Sequence, residues 1–161
     1  MKFDFLVVCL NPTIQKTIIL NNLKENEVNR SSEYRTDAAG KGVNTTRILH
    51  QLGANVKHLT QSGDQGEYLL ELIARDSLPL STADNSSYIR TCTTLINKCN
   101  GTVTEIVEES PSVDSETGKH IMDIYKNLLG ETKYIILAGS KAAGFEDNIF
   151  PEMVRLAKNL N

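Results

Sequence analysis

Six consecutive apolar residues, Phe5-Leu-Val-Val-Cys-Leu10, set the terms on which this chain can fold. The run is far too short for a membrane span, which needs about 20 apolar residues, and it has no polar face to show to water. It therefore reads as a strand buried on both sides, and Tyr134-Ile-Ile-Leu-Ala138 reads the same way. Strands of that kind belong to parallel sheets, whose crossover connections are usually helices. Helical periodicity is present: Tyr68, Leu69, Leu72 and Ile73 share one face, as do Ile121, Ile124, Tyr125 and Leu128, and later Ile149, Met153, Val154 and Ala157. The fold class is α/β, built from βα units.

A second pattern interrupts the first. From Thr91 to Glu108 two β-prone runs meet at Asn100-Gly101, a dipeptide suited to a tight type I′ turn, so an antiparallel hairpin is expected there. Its faces are only partly apolar, which makes it a flap rather than a core layer. Thr13 to Leu20, followed by Asn21-Asn22, reads as a further strand outside the main sheet. The expectation is an α/β layer carrying a small antiparallel β-lid, with no repeat, low-complexity tract or linker that would divide the chain.

Composition narrows the function. The chain has 161 residues, 40% of them apolar and 23% charged, which suits one globular domain able to bury a core without disulfides or metals. A net charge of −3 with no basic run excludes nucleic acid as a partner. No membrane-spanning or leader pattern is present, so a cytoplasmic location is expected. Cys9, Cys92 and Cys99 form no Cys-x-x-Cys pair and read as reduced thiols packed like small hydrophobes. His50, His58 and His120 are scattered and read as surface or helix histidines, with no metal ligand set. Glu105, Glu108 and Glu109 read as a solvated face of the lid rather than an acid pair.

Ala38-Ala-Gly-Lys-Gly-Val-Asn-Thr-Thr-Arg-Ile-Leu-His-Gln-Leu-Gly53 carries the chemistry. Gly40 and Gly42 permit a tight turn and a close approach to a ligand, and the residues from Val43 form a helix that Gly53 ends at its C′ position. The free N–H groups of that helix would face an anion. Lys41 adds a full positive charge, and Asn44 a side chain able both to donate and to accept hydrogen bonds, as sugar hydroxyls require. The spacing is neither a Walker P-loop nor Gly-x-Gly-x-x-Gly. By itself the segment suits a bare structural turn equally well.

Cys9-Leu-Asn-Pro-Thr-Ile-Gln-Lys-Thr17, Glu27-Val-Asn-Arg30, Ala39-Gly-Lys-Gly-Val-Asn44 and Leu52-Gly53 follow in order. Ile89-Arg-Thr91, Gly101-Thr-Val-Thr-Glu-Ile106 and Leu137-Ala-Gly-Ser140 with Gly144 come after them. In this order and spacing the blocks resemble the phosphofructokinase-B (ribokinase-like) carbohydrate kinases, and within them the 1-phosphofructokinase and tagatose-6-phosphate kinase branch. The resemblance implies a ribokinase-like βα sheet with lid strands near 13–20, 34–38 and 88–108. Residues 1–161 would then form one incomplete, substrate-binding domain. It also implies phosphoryl transfer from ATP with Mg²⁺ to a sugar phosphate. Gly40, Lys41 and Asn44 would sit at the sugar, with Arg90 and Ser140 at its existing phosphate; apart from the resemblance, Arg90 reads as a lid ion pair.

The sequence also departs from that family. Gln15 replaces an aspartate that orients sugar hydroxyls, Ala39 replaces a glycine, Cys92 an asparagine, and Lys141-Ala142-Ala143 a common Leu-Pro-Pro. Kinases of the family are roughly twice as long, and their Gly-Ala-Gly-Asp loop, with its general base and anion hole, and their nucleotide pocket have no counterpart here. No catalytic residue is therefore assigned, ATP and Mg²⁺ are not expected to bind this chain alone, and the chain is expected to be inactive by itself. It reads as the N-terminal, sugar-phosphate-binding half of a kinase, or alternatively as a non-catalytic module that binds a sugar phosphate or a protein. A separately encoded second half could complement it. An uncovered sheet edge or the lid would favour a homo-oligomer.

Overall fold

The computed structural model describes residues 2–64 and 66–159. Eight strands and four helices follow in the order β1 (Phe3–Cys9), β2 (Thr13–Leu20), β3 (Glu33–Ala39), α1 (Lys41–Gln51), β4 (Val56–Gln61), α2 (Gly66–Arg75), β5 (Leu80–Ala83), β6 (Thr91–Asn97), β7 (Thr102–Val107), α3 (Ser115–Leu129), β8 (Thr132–Leu137) and α4 (Ile149–Lys158). They make two four-stranded sheets, ordered β5-β4-β1-β8 and β3-β2-β6-β7. The first is parallel throughout. Among the described residues no helix is long and apolar enough to cross a membrane.

Strand β1 is central, and successive side chains along it point to opposite faces. Leu6, Val8 and Leu10 pack with Ile121, Tyr125 and Leu129 of α3 and with Ile149 and Met153 of α4. Val7 and Phe5 pack on the other face with Leu49 of α1, Val56 and Ile136. Each face has its own helical layer, which is why the run could be apolar throughout. Tyr125 buries its ring between α3 and α4 and donates its hydroxyl proton to the Met153 carbonyl at 2.8 Å; burial pushes that phenol up to about 12. Helix α3 begins at Asp114, whose carboxylate accepts the Thr117 N–H at 2.7 Å as an N-cap.

Several expectations need correction. Strand β8 is not buried on both faces: it forms the edge of the parallel sheet, and Tyr134 is 62% exposed. Strands β4 and β5 were not legible, because Lys57, His58, Thr60 and Gln61 break the apolar run of β4 and β5 has four residues. Tyr68 and Val154 are exposed rather than facing the core with their neighbours. The second sheet is mixed, not wholly antiparallel: β2 pairs antiparallel with β3, and β6 with β7, but β2 and β6 run parallel from Ile14↔Thr91 to Leu20↔Asn97. Both β2 and β6 leave the same end of the parallel sheet, after β1 and β5, and so travel in one direction. The hairpin closes through Lys98 to Gly101, with the Gly101 N–H bonded to the Asn97 carbonyl at 2.9 Å. Gly101 alone in that loop takes a positive φ, so the turn is longer than a type I′.

His58 is neither on a helix nor at the surface. It lies fully buried on β4, with Nδ1 2.9 Å from Thr46 Oγ1, while Thr46 donates to the Gly42 carbonyl at 2.9 Å. With the hydroxyl proton on that carbonyl, the imidazole donates from Nδ1; Nε2 has no partner among the described residues. Burial holds the imidazole down at about 4, against an ordinary value of 6.5. The unfolded chain therefore binds the extra proton first as pH falls below 6.5, so stability is full above that value and is lost towards pH 4. The expected loss between pH 7 and pH 5 is about 2 kcal/mol. Denaturant melts of wild type and His58→Gln at the two pH values test it: the variant should lose the pH-dependent part, and an equal pH slope in both proteins would rule His58 out.

Candidate functional site

All six residues singled out in the sequence, Gln15, Gly40, Lys41, Asn44, Arg90 and Ser140, line one cleft of about 330 Å³. It opens at the carboxyl ends of the neighbouring strands β1 and β8, where ligands of open α/β sheets sit. Cys9 ends β1, Asn11 and Thr13 lead into β2, Ala39 and Gly40 join β3 to α1, and Ala138 to Ser140 follow β8. The second sheet forms the other wall with Gln15, Cys92, Glu105 and Val107.

Gly40 is the N-cap of α1, with φ 108° and ψ 153°, a conformation that side chains strain against. The helix starts at Lys41, two residues before the expected Val43, and ends with Gly53 past its C-cap, as expected. Gly42 is packed directly on β1: a Cβ there would lie 2.4 Å from the Cβ of Cys9. The Cys9 side chain thus packs directly against the first turn of α1. Burial dominates at Cys9 and pushes its thiol up, which keeps it neutral. The full positive charges of the cleft are carried by two side chains.

Those side chains are Lys41 and Arg90. The stem of Lys41 runs past Gly139, where a Cβ would come within 3.4 Å of its own Cβ, and no carboxylate lies within 4.0 Å of its ammonium among the described residues. Arg90 likewise has no carboxylate partner there, so it is not a lid ion pair, and its Nε is buried without a hydrogen bond. Its backbone carbonyl is held by the Ile14 N–H and the Thr13 hydroxyl, both at 3.0 Å, which fixes the residue at the start of β6. Two cations against one lining carboxylate, Glu105, give a cleft suited to an anion.

The neutral groups are oriented. Gln15 donates from Nε2 to Thr94 Oγ1 at 2.8 Å, which leaves its Oε1 as an acceptor without a partner among the described residues. Asn11, not singled out in the sequence, donates to Ser140 Oγ at 3.3 Å and accepts from Ser110 at 2.6 Å, tying the loop after β1 to the loop after β8. Glu105, read as a solvated lid residue, is exposed but lines the cleft. Arg47 was also missed: it donates to Asn44 Oδ1 at 2.8 Å and therefore engages the acceptor atom of that side chain and fixes its orientation. Only its place three residues after Asn44, one helical turn away, could have pointed to it. Cys92 is buried against Thr13, whereas Cys99 is exposed in the hairpin loop rather than packed. No group of three or more His, Cys, Asp or Glu side chains could hold a metal among the described residues.

Residues 6–161 match the model of the pfkB family carbohydrate kinases. A possible 1-phosphofructokinase from Thermotoga maritima is 26% identical, with a TM-score of 0.89 over 96% of this chain and 50% of that one. Phosphofructokinase-2 from Escherichia coli, solved in complex with fructose-6-phosphate, is 16% identical, with a TM-score of 0.84 over 99% of this chain and 52% of that one. The chain thus spans about half the length of the solved structures it matches.

Proposed function

We propose, on the premise that this chain belongs to the pfkB family of carbohydrate kinases and has their ribokinase-like fold, that it is the half of a sugar-phosphate kinase that holds the acceptor substrate. The observation carrying this reading is the convergence of residues spread from position 15 to position 140 on one cleft whose two cations lack carboxylate partners. Arg90 and Ser140 would take the existing phosphate, Arg90 by the two-pronged fork of its guanidinium. Lys41, Asn44 and the Gly40 turn would take the sugar, and Gln15 Oε1 would supply the acceptor that a carboxylate gives elsewhere in the family. The second sheet would act as a lid over the sugar. The substrate class, a fructose or tagatose phosphate, draws support from the fructose-6-phosphate held by the Escherichia coli relative.

Phosphoryl transfer in this family uses ATP and Mg²⁺, and its rate comes from positioning and charge stabilisation around the transferred group. These 161 residues contain no Gly-Ala-Gly-Asp sequence, and the cleft offers one carboxylate, a poor fit for a resident metal ion. The chain alone is therefore expected to bind substrate without turning it over, and a partner supplying the base would restore activity on mixing. A second copy is a further expected partner, through exposed Tyr34, Val103 and Ile106 of the second sheet or the β8 edge with Tyr134.

Calorimetric titration with fructose 1-phosphate, fructose 6-phosphate and tagatose 6-phosphate tests the proposal. At least one should saturate, unphosphorylated fructose should bind far more weakly, and ATP should not be consumed. Light scattering on the same sample should give more than one copy per particle. Absence of heat with all three sugar phosphates overturns the binding role. Steady ATP-dependent phosphorylation by the purified chain overturns the half-enzyme reading. A non-catalytic sugar-phosphate module would bind but gain no activity when mixed with the second half of a relative.

A further inference from the structure

We infer that Arg47 is a positioning residue that fixes the Asn44 amide in one orientation with its nitrogen free to donate, so that the ligand atom meeting that nitrogen is an acceptor oxygen; the inference rests on the binding role proposed above. All three guanidinium nitrogens of Arg47 are engaged. Nε and Nη2 lie 2.8 Å from Asp76 Oδ2, Nη2 also donates to the Ala38 carbonyl at 2.9 Å, and Nη1 donates to Asn44 Oδ1 at 2.8 Å. The group is only 19% exposed. It joins three pieces of chain around the cleft: the end of β3, the first turns of α1, and the turn after α2, where the Asp76 N–H is itself fixed to the Ile73 carbonyl at 3.1 Å.

An arginine has donors and no acceptor, so the Asn44 atom it meets is the carbonyl oxygen. The amide nitrogen then has no partner among the described residues and keeps two protons to give. Asn44 is exposed and lines the cleft next to Lys41, while its backbone N–H is spent on the Gly40 carbonyl at 3.0 Å. A free asparagine would turn its amide over to suit either a hydroxyl proton or a lone pair. Held by Arg47, it keeps one orientation and donates to an acceptor oxygen, which favours one rim of a sugar against α1. Gln15 is the counterpart, since one of its amide protons goes to Thr94, which orients the side chain and leaves its Oε1 without a partner among the described residues. The amides of Asn44 and Gln15 are therefore each held in one orientation, which restricts how a sugar hydroxyl edge can enter.

The test is calorimetric titration of fructose 6-phosphate into wild type, Arg47→Met, Asn44→Ala, the double variant and Asn44→Asp, with thermal melts of each. Asn44→Ala should weaken binding about tenfold, Arg47→Met severalfold but by no more than that, and the double variant no further than Asn44→Ala, because Arg47 acts only through the Asn44 side chain. Asn44→Asp should keep or raise the melting temperature, since Arg47 gains a carboxylate partner, yet weaken binding at least tenfold. A purely structural Arg47 would instead multiply its loss with that of Asn44→Ala, or leave affinity untouched, and Asn44→Asp would then bind like wild type; any of these results overturns the inference. If Arg47→Met does not fold, Asn44→Asp and the shift of the Asn44 side-chain amide protons of wild type on adding fructose 6-phosphate decide it, no shift being the adverse result. Absence of heat in wild type removes the binding role and this inference together, whereas heat with multiplied losses removes only the role of Arg47.

Discussion

Lys41→Met is expected to raise the Kd for a sugar phosphate about a hundredfold while leaving the fold intact. Lys41 is one of two cations in the cleft, and its ammonium is not engaged by any carboxylate among the described residues, so its charge is available to a ligand. A hydrogen bond from a charged group is worth about 1.5–3 kcal/mol, and each 1.4 kcal/mol is about tenfold in Kd. The methionine keeps the stem that lies against Gly139 and carries no side-chain burden elsewhere, since Lys41 is exposed. Thermal melts of the variant should therefore overlay those of wild type. Titration calorimetry at fixed ionic strength gives the affinity. A variant that binds within threefold of wild type would show that the ammonium does not meet the ligand.

Gly42→Ala is expected to be the most damaging small substitution in the site, and to act on stability before it acts on binding. Alanine has the better helix propensity by about 1 kcal/mol, which by itself would stabilise α1. Packing decides against it. The new Cβ would stand 2.4 Å from Cys9 Cβ and 3.2 Å from Cys9 Cα, and Cys9 sits on the central strand, where the backbone has little room to give. Overpacking of this kind costs about 1–3 kcal/mol or more, and in a chain of this size each kcal/mol lowers Tm by roughly 2–4 °C. A fall of about 2–12 °C follows. Cys9→Gly removes the clashing atom, so the double variant should lose at least about 1 kcal/mol less than the two single losses added together. Strict additivity would show that α1 simply moves away from β1. The same contact explains why Lys41 stands where it does: the glycine lets the helix start close against the strand, which brings position 41 to the mouth of the sheet.

The parts that were legible in the sequence share a physical cause. Phe5 to Leu10 could be read because a strand with helices on both faces needs no polar side, and β1 has Leu6 and Val7 buried against different layers. Gly53 could be read because a helix end requires an unusual backbone angle there. The Gly-Lys-Gly segment was legible because close approach demands glycine and an anion demands charge. Strand β4 escaped because its polar side chains find partners on other elements, Thr60 by donating to the Cys9 carbonyl at 2.7 Å and His58 at Nδ1 through Thr46, and so are buried without being apolar. Tyr134 misled because an apolar residue on an edge strand looks no different in sequence from one in the centre.

The sequence by itself determined which residue types could serve an anionic sugar and where the chain would be strand or helix, since those depend on side-chain chemistry and on periods of two and 3.6. What each polar group has left to offer was decided only by the tertiary structure. Gln15 keeps its acceptor free because one of its amide protons goes to Thr94, from another strand, and Asn44 keeps its donor free because Arg47, itself held by Asp76 after α2, fixes its orientation. Arg90 keeps its charge free because no carboxylate of the folded chain comes within reach among the described residues. Hydrogen-bonding capacity is spent across distances that the chain order does not encode locally, so the balance remaining at the cleft exists only once the two sheets have closed around it.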